Sequence, residues 1–256
     1  TPPYKLQSSG DNIFSVSLED KILTVTALSP GRSGTKICSA DDSECTYLFV
    51  IVNGAIPTVT VKKLGNSVKS IHIDVMDEKF VPNKTNFSPE FVKNLSTDLK
   101  KTVHLMVENP DKKIQLYADS GADIIIFHIE ASKNPIKLIK DTKEKFPKTR
   151  IGISLKPKTG IEKIMNALEY IDYVLIMSVE PGFGGQEFIE DSTKNIEKIR
   201  KAYPGMDISV DGGIKVGTSN KCAKAGANIL VSGSFIFKQK DYKKAINDLI
   251  KDAKRK

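Results

Sequence analysis

The residues best suited to chemistry are histidines and aspartates near the ends of short apolar runs. His72 and Asp74 lie two positions apart in the run 71–77, which reads I-H-I-D-V-M-D. The alternation of β-branched and polar residues predicts a strand, and alternate residues of a strand share a face. The imidazole and the carboxylate therefore lie side by side. For such a pair alone, a buried His–Asp hydrogen bond is the simpler interpretation.

Three further residues widen that interpretation. His104 and His128, the other two histidines of the chain, fall in predicted strands, and Asp211 closes another strand just before two glycines. In a parallel barrel the following side chains can converge at the carboxyl ends of three strands: His72, Asp74, His104 and Asp211. Two imidazoles and two carboxylates suit one divalent metal ion, with Zn, Fe, Mn and Co all open.

The elements that would position these residues alternate between strand and helix from about residue 66. Strand patterns fall at 70–75, 102–107, 123–129, 150–155, 172–178, 207–211 and 228–232. Helical patterns fall at 89–95, 112–120, 136–145, 161–170, 192–202, 219–225 and 241–254. This order predicts an α/β fold, a (β/α)8 TIM-type barrel with its site at the carboxyl ends of the strands.

The barrel is expected to lack its first strand. Only seven strands are evident, and the run 56–61 is the remaining candidate. Too few residues separate it from the strand at 70, because a parallel crossover takes about a dozen or more.

Glycines follow the last three predicted strands. Successive Gly-rich loops can turn backbone N–H groups toward a phosphate, and this is the usual phosphate site of such barrels. The predicted phosphate-binding residues are Gly182, Phe183, Gly184, Gly185, Gly212, Gly213, Gly233 and Ser234.

Residues 1–55 differ in kind from the rest. Short alternating runs at 14–18, 22–28 and 47–52 predict a small antiparallel β unit, which weakly resembles a bacterial immunoglobulin-like repeat. We therefore divide the chain into a β-rich segment, 1–55, and a barrel, 56–256.

The net charge of +8 is carried by the barrel, since residues 1–55 hold four basic and six acidic side chains. The lysines are scattered along predicted helices without interleaved aromatic residues, which favours a solvated surface over nucleic-acid binding. No apolar run approaches the roughly 18 residues that a membrane span needs. We expect neither a nucleic-acid nor a membrane partner.

Six sequence words occur in the order seen in ribulose-phosphate 3-epimerases: H-I-D-V-M-D-x-x-F-V-P-N, V-H-L-M-V, F-H-I-E-A, M-S-V-E-P-G-F-G-G-Q, V-D-G-G-I and V-S-G-S-x-I-F. Residues 63–256 resemble that family. The resemblance implies His72, Asp74, His104 and Asp211 as metal ligands, with Asp74 and Asp211 also as the acid/base pair. Met76, Met106 and Met177 resemble the methionines that wall the intermediate, although core packing explains them almost as well. His128 and Glu130 are expected to be structural.

The implied activity is the metal-dependent interconversion of D-ribulose 5-phosphate and D-xylulose 5-phosphate through an enediolate. A cytoplasmic homo-oligomer acting on a phosphorylated ketose is expected. Two departures bear on activity: Glu78 stands where the family has glycine, and the family's opening strand, with its substrate-contacting serine, has no counterpart. The alternatives are therefore an incomplete, inactive barrel that serves as a binding or structural module, and an epimerase of a six-carbon ketose phosphate.

Overall fold

The chain divides into two compact units, Thr1–Gly65 and Asn66–Lys256. The computed structural model describes residues 68–95 and 97–255 and, in the first unit, the backbone of five strands between residues 4 and 52. The candidate strand at 56–61 and the expected domain boundary lie outside the described residues.

The described strands of the first unit are antiparallel, as the sequence predicts. They are β1 (Tyr4–Ser9), β2 (Phe14–Glu19), β3 (Ile22–Ala27), β4 (Gly31–Ser39) and β5 (Cys45–Val52). Strands β1, β4 and β5 form one sheet, and β2 pairs with β3. Sequence patterns do not reveal β1 and β4, since β4 carries two glycines and few apolar residues, a composition that disfavours strands. The immunoglobulin-like resemblance stays a prediction.

Seven parallel strands form the sheet described in the second unit. They are β6 (Ser70–Met76), β7 (Lys100–Met106), β8 (Ile124–His128), β9 (Arg150–Leu155), β10 (Tyr173–Met177), β11 (Asp207–Asp211) and β12 (Ile229–Val231). Each strand pairs with the next in chain order, from β6 to β12. This is a TIM-type barrel with seven described strands, which confirms the predicted fold.

Helices connect the strands. They are α1 (Pro89–Asn94), α2 (Asp111–Asp119), α3 (Pro135–Lys145), α4 (Ser192–Ala202), α5 (Thr218–Ala225), α6 (Ser234–Phe237) and α7 (Tyr242–Ala253). Their starts follow local rules: the Ser88 hydroxyl accepts from the Phe91 N–H at 3.2 Å, and Asp241 accepts from the Lys244 N–H at 2.9 Å. Within the described range, no helix is long and apolar enough to cross a membrane.

One predicted helix is wrong in type. Instead of an α-helix at 161–170, two 3₁₀ helices span Ile161–Lys163 and Met165–Tyr170. The buried residues Ile161, Ile164 and Ala167 recur every three positions. That spacing puts them on one face of a 3₁₀ helix, which has three residues per turn.

Two apolar layers hold the barrel together. The outer layer packs strand residues such as Val103, Leu105 and Ile153 against the helices. The layer inside the barrel includes Ile126 and Leu175. Strands covered on both faces read as nearly continuous apolar runs, so the polar residues among them stand out.

Candidate active site

Strand register brings the predicted ligands to one end of the barrel. In the β6–β7 pair, Asp74 lies opposite His104, and Met76 lies opposite Met106. In the β10–β11 pair, Met177 lies opposite Asp211. Alternate residues of a strand point to the same face of the sheet, so the side chains of Asp74 and Met76 share a face, as do those of His104 and Met106. These side chains point into the barrel near its carboxyl end.

The four predicted ligands form one cluster. The Nδ1 atom of His104 lies 3.0 Å from Oδ1 of Asp74, and Nε2 of His72 lies 3.2 Å from the same oxygen. Nε2 of His72 is 4.0 Å from Oδ2 of Asp211. One donor atom from each residue falls within 4.8 Å of all the others.

The cluster fits a divalent cation. His72 Nε2 is buried without a hydrogen-bond partner in the described part of the chain, although it points at two carboxylates. The His104 side chain is fully buried, while Asp74 is 36% exposed. Two nitrogen and two oxygen donors at this spacing, with one side open, suit a catalytic rather than a closed structural metal site. The donor set leaves the identity of the ion open.

The two carboxylates have opposite protonation behaviour. Burial would raise the pKa of Asp74, but the neighbouring His72 and His104 outweigh burial and hold this pKa below its usual range. Burial and the nearby charge of Asp74 raise the pKa of Asp211 to about 7. The pair therefore offers one ionised carboxylate and one that holds a proton near neutrality, which is the usual basis for assigning an acid and a base.

The histidines also differ. Burial lowers the pKa of His104 to about 4, so the ring is neutral near pH 7 and suited to bind a metal. The pKa of His72 is raised, because its contacts with Asp74 outweigh the opposite effect of burial.

The backbone at Asp211 is held in place by residues that directly follow β10. The Ser178 hydroxyl donates to the carbonyls of Asp211 at 2.9 Å and of Gly212 at 2.7 Å. Gly212 has φ 118°, and a Cβ there would lie 2.5 Å from Val179 Cγ2. Only glycine fits this position without displacing Val179.

The three glycine loops follow β10, β11 and β12, as the sequence predicts. Gly213 has φ 63° and packs against the backbone of Phe188, which lies just beyond the first loop. Lys238, just after α6, places Nζ 4.0 Å from where a Cβ on Gly185 would lie. A positive charge therefore lies beside the loop that holds the predicted residues Gly182, Phe183, Gly184 and Gly185, while Gly233 and Ser234 begin α6.

The three methionines are buried at the same end of the barrel. Met76 and Met106 pack with Val81 and the partly buried Phe80, whereas Met177 belongs to the apolar layer inside the barrel. Met177 lies opposite Asp211. Met76 and Met106 lie opposite each other, two residues beyond Asp74 and His104 on the same two strands. This position is consistent both with lining a pocket at this end of the barrel and with packing in the core.

The loop after β6 joins the site to the glycine loop. The Asn83 amide donates to the Gly182 carbonyl at 2.6 Å, and Val81 contacts the position of a Gly182 Cβ at 3.3 Å. Asp77 accepts from the N–H groups of Phe80 and of Glu108, at 3.0 and 2.8 Å. Neither Asn83 nor Asp77 has a role that the sequence predicts, although both lie within the first family word.

Glu78 adopts the left-handed conformation, with φ 65°. Its N–H donates to the Asn83 carbonyl at 2.9 Å, which closes the loop. The conformation therefore remains one that favours glycine, although the chain has glutamate there.

His128 and Glu130 extend the cluster outward. His128 Nε2 is 2.9 Å from Nε2 of His104, and His128 Nδ1 is 3.4 Å from Oε2 of Glu130. Glu130 Oε1 accepts from the Lys156 N–H at 2.8 Å and from the Thr159 hydroxyl. Burial would raise the pKa of Glu130, but His128, Thr159 and the Lys156 N–H together outweigh burial and lower this pKa to about 2. No signal in the sequence links this pair to His104, because the register of β7 against β8 cannot be read from it.

The barrel is similar in fold to a crystal structure of KGPDC from Streptococcus mutans. The TM-score is 0.58 at 18% sequence identity, and the match covers 75% of this chain and 88% of that chain. At this identity the likeness establishes the fold. The fold and the site together define a TIM-type barrel with a cluster of imidazoles and carboxylates at the carboxyl end of its strands.

Sequence relatives give the family. The Ribulose-phosphate 3 epimerase family profile matches residues 56–237. The chain is 39% identical over 190 residues to the ribulose-phosphate 3-epimerase of Eremothecium gossypii, covering 69% of this chain and 78% of that protein. It is 41% identical over 221 residues to the chloroplastic ribulose-5-phosphate-3-epimerase of Arabidopsis thaliana, covering 80% of this chain and 78% of that protein. The chain belongs to the ribulose-phosphate 3-epimerase family.

Proposed function

We propose that this enzyme interconverts D-ribulose 5-phosphate and D-xylulose 5-phosphate by moving a proton at the carbon next to the ketone. The observation that carries the proposal is the pair of carboxylates, Asp74 and Asp211, beside two imidazoles at the carboxyl end of the barrel. Inverting that carbon requires a proton to leave from one face and another to arrive on the other. Two carboxylates can serve both faces.

The two carboxylates differ in pKa, and this difference assigns one of them as the base and the other as the acid. In one direction the ionised Asp74 removes the proton, and Asp211 in its protonated form delivers one to the opposite face. The pKa values of the metal-free site, low for Asp74 and about 7 for Asp211, support this assignment. In the reverse direction the two residues exchange roles. The enediolate forms on the substrate between these two transfers.

His72, Asp74, His104 and Asp211 would hold one divalent ion, Zn, Fe, Mn or Co. Such an ion, when bound, polarises the ketone and hydroxyl oxygens of the substrate and stabilises developing negative charge. Met76, Met106 and Met177 would then present apolar walls to the reacting carbons and limit the access of water.

The glycine loops would bind the phosphate of the ketose. The support is their place after β10, β11 and β12, with Lys238 adding a positive charge beside Gly185. Backbone N–H groups and a cation are the ordinary means of binding a phosphate. The homo-oligomeric state, the cytoplasmic location and the lack of a nucleic-acid partner stay predictions.

The test is turnover of D-ribulose 5-phosphate by the full chain loaded with Zn²⁺, measured with a coupled assay. Asp74→Asn and Asp211→Asn should each lower kcat by at least about 100-fold, the usual contribution of a positioned acid or base. Asp141→Asn, an exposed position on α3, is the matched control and should leave kcat unchanged. A six-carbon ketose phosphate is assayed in parallel. A folded, Zn²⁺-binding chain without turnover would instead favour the inactive-barrel alternative.

A further inference from the structure

We propose that Glu130, acting through His128, fixes the tautomer of His104 that leaves its Nδ1 atom free to bind the metal. This role rests on the proposed metal centre and makes His128 and Glu130 positioning residues there. The geometry consists of four groups in a row, from the cluster outward: Asp74, His104, His128 and Glu130.

The contact between the two imidazoles admits one proton. His104 Nε2 and His128 Nε2 are 2.9 Å apart, and both side chains are fully buried. In a pair of neutral rings at this distance, one nitrogen donates and the other accepts. The tautomers of the two rings are therefore linked, and whatever fixes one ring fixes the other.

Glu130 faces the outer end of the row as an acceptor. Its Oε1 atom is occupied by two donors, the Lys156 N–H at 2.8 Å and the Thr159 hydroxyl. Its Oε2 atom faces His128 Nδ1 at 3.4 Å, and neither atom has another hydrogen-bond partner in the described residues. In the metal-free chain, Asp74 favours a proton on His104 Nδ1 in the same way, at 3.0 Å. When a cation lies between His104 and Asp74, Glu130 is the one carboxylate of this row that still accepts a proton, so the favourable arrangement places the proton on His128 Nδ1.

The tautomer of His128 then determines the tautomer of His104. With its proton on Nδ1, His128 presents a bare Nε2, and His104 must donate from its own Nε2. The Nδ1 lone pair of His104 then points at Asp74 Oδ1, 3.0 Å away. A lone pair and a carboxylate oxygen facing each other are both ligand atoms, and a cation shared between them removes their repulsion. The opposite tautomer would put a proton where the cation has to bind.

The same pattern of an outer carboxylate that orients a metal-binding imidazole is common in metalloproteins, and its loss typically costs about 10–100-fold in metal affinity. Here a second imidazole lies between the carboxylate and the ligand. Phe80 packs its ring 4.8 Å from the His128 ring, which shields this link from solvent.

Glu130→Gln is the substitution expected to reverse the tautomers of both His128 and His104. The Lys156 N–H and the Thr159 hydroxyl hold the amide oxygen, so the amide N–H₂ group turns toward His128 Nδ1 and requires an acceptor there. The proton of His128 then moves to Nε2, and His104 takes its proton on Nδ1. Thr159→Val is the matched control, since it also removes one hydrogen bond of Glu130 but keeps the carboxylate.

The affinity for Zn²⁺ is measured without substrate by competition with a chromogenic chelator. Glu130→Gln is expected to weaken binding by about 10–100-fold, and Thr159→Val by no more than about threefold. Equal effects in the two variants, or a Glu130→Gln affinity within about threefold of the parent chain, would overturn the proposal. Turnover does not enter this readout, so loss of the epimerase proposal and loss of this one are separate results.

A second readout needs no variant. In the Zn²⁺-loaded parent chain with ¹⁵N-labelled histidine, NMR should show protons on His128 Nδ1 and His104 Nε2. A proton on His128 Nε2 instead would refute the inference even if Glu130→Gln failed to fold.

Discussion

Replacing Glu78 by glycine is expected to stabilise the folded protein. Glu78 has φ 65°, its side chain is exposed, and its N–H donates to Asn83, a bond that glycine retains. The left-handed conformation costs an L-residue about 1–2 kcal/mol. Glycine loses about 0.5–1 kcal/mol more chain entropy on folding, which offsets part of that gain. Because the backbone strain outweighs this entropy cost, we expect a net gain of about 0.5–1 kcal/mol in the free energy of unfolding.

The assay is equilibrium unfolding in urea, with a thermal melt as a second measure. For a chain of this size a gain of that order raises Tm by about 1–4 °C. Two controls separate conformation from composition. Lys79→Gly, at an exposed neighbour with negative φ, should lower stability, and Glu78→Ala should give no gain because alanine carries the same strain. An equal gain from Glu78→Ala would refute the reasoning, because it would place the effect in the glutamate side chain rather than in the backbone.

Two further predictions concern binding. In the metal-free protein Asp211 has a pKa of about 7 and His72 a raised pKa, so Zn²⁺ must displace protons below neutrality. Affinity should therefore fall by about tenfold or more for each pH unit below 7, with a shallower slope in Asp211→Asn, as chelator competition at several pH values will show. Lys238→Met should raise KM several-fold with little change in kcat, whereas Lys240→Met, an exposed neighbour, should change neither. A fall in kcat alone would count against the phosphate role of Lys238.

Much of the barrel could be predicted because its signals are local. Strands such as β8 and β10 are short apolar runs, and helices α1 and α7 begin at the capping residues Ser88 and Asp241. The 3₁₀ segments at 161–170 were missed, because a helical composition does not reveal a three-residue burial period until the barrel packs against it.

The candidate site also has features that could be predicted from the sequence and features that could not. The meeting of the four predicted ligands could be predicted, because the sequence shows where each strand ends and which residues share a face of it. The contact between His104 and His128 depends on the register of β7 against β8 and on the local geometry at the strand ends, and so does the role of Glu130. Neither is specified by any short stretch of sequence. The bond from Asn83 to Gly182 spans 99 positions and is equally invisible before folding.

Hydrogen exchange at the reacting carbon tests the central claim most directly. D-Ribulose 5-phosphate is incubated in D₂O with the Zn²⁺-loaded chain and followed by ¹H NMR. Proton transfer through Asp74 and Asp211 predicts that the signal of the proton on the carbon next to the ketone disappears as D-xylulose 5-phosphate forms, and that both changes are lost in Asp74→Asn. A chain that binds Zn²⁺ and unfolds cooperatively, yet leaves that proton in place, would contradict the account.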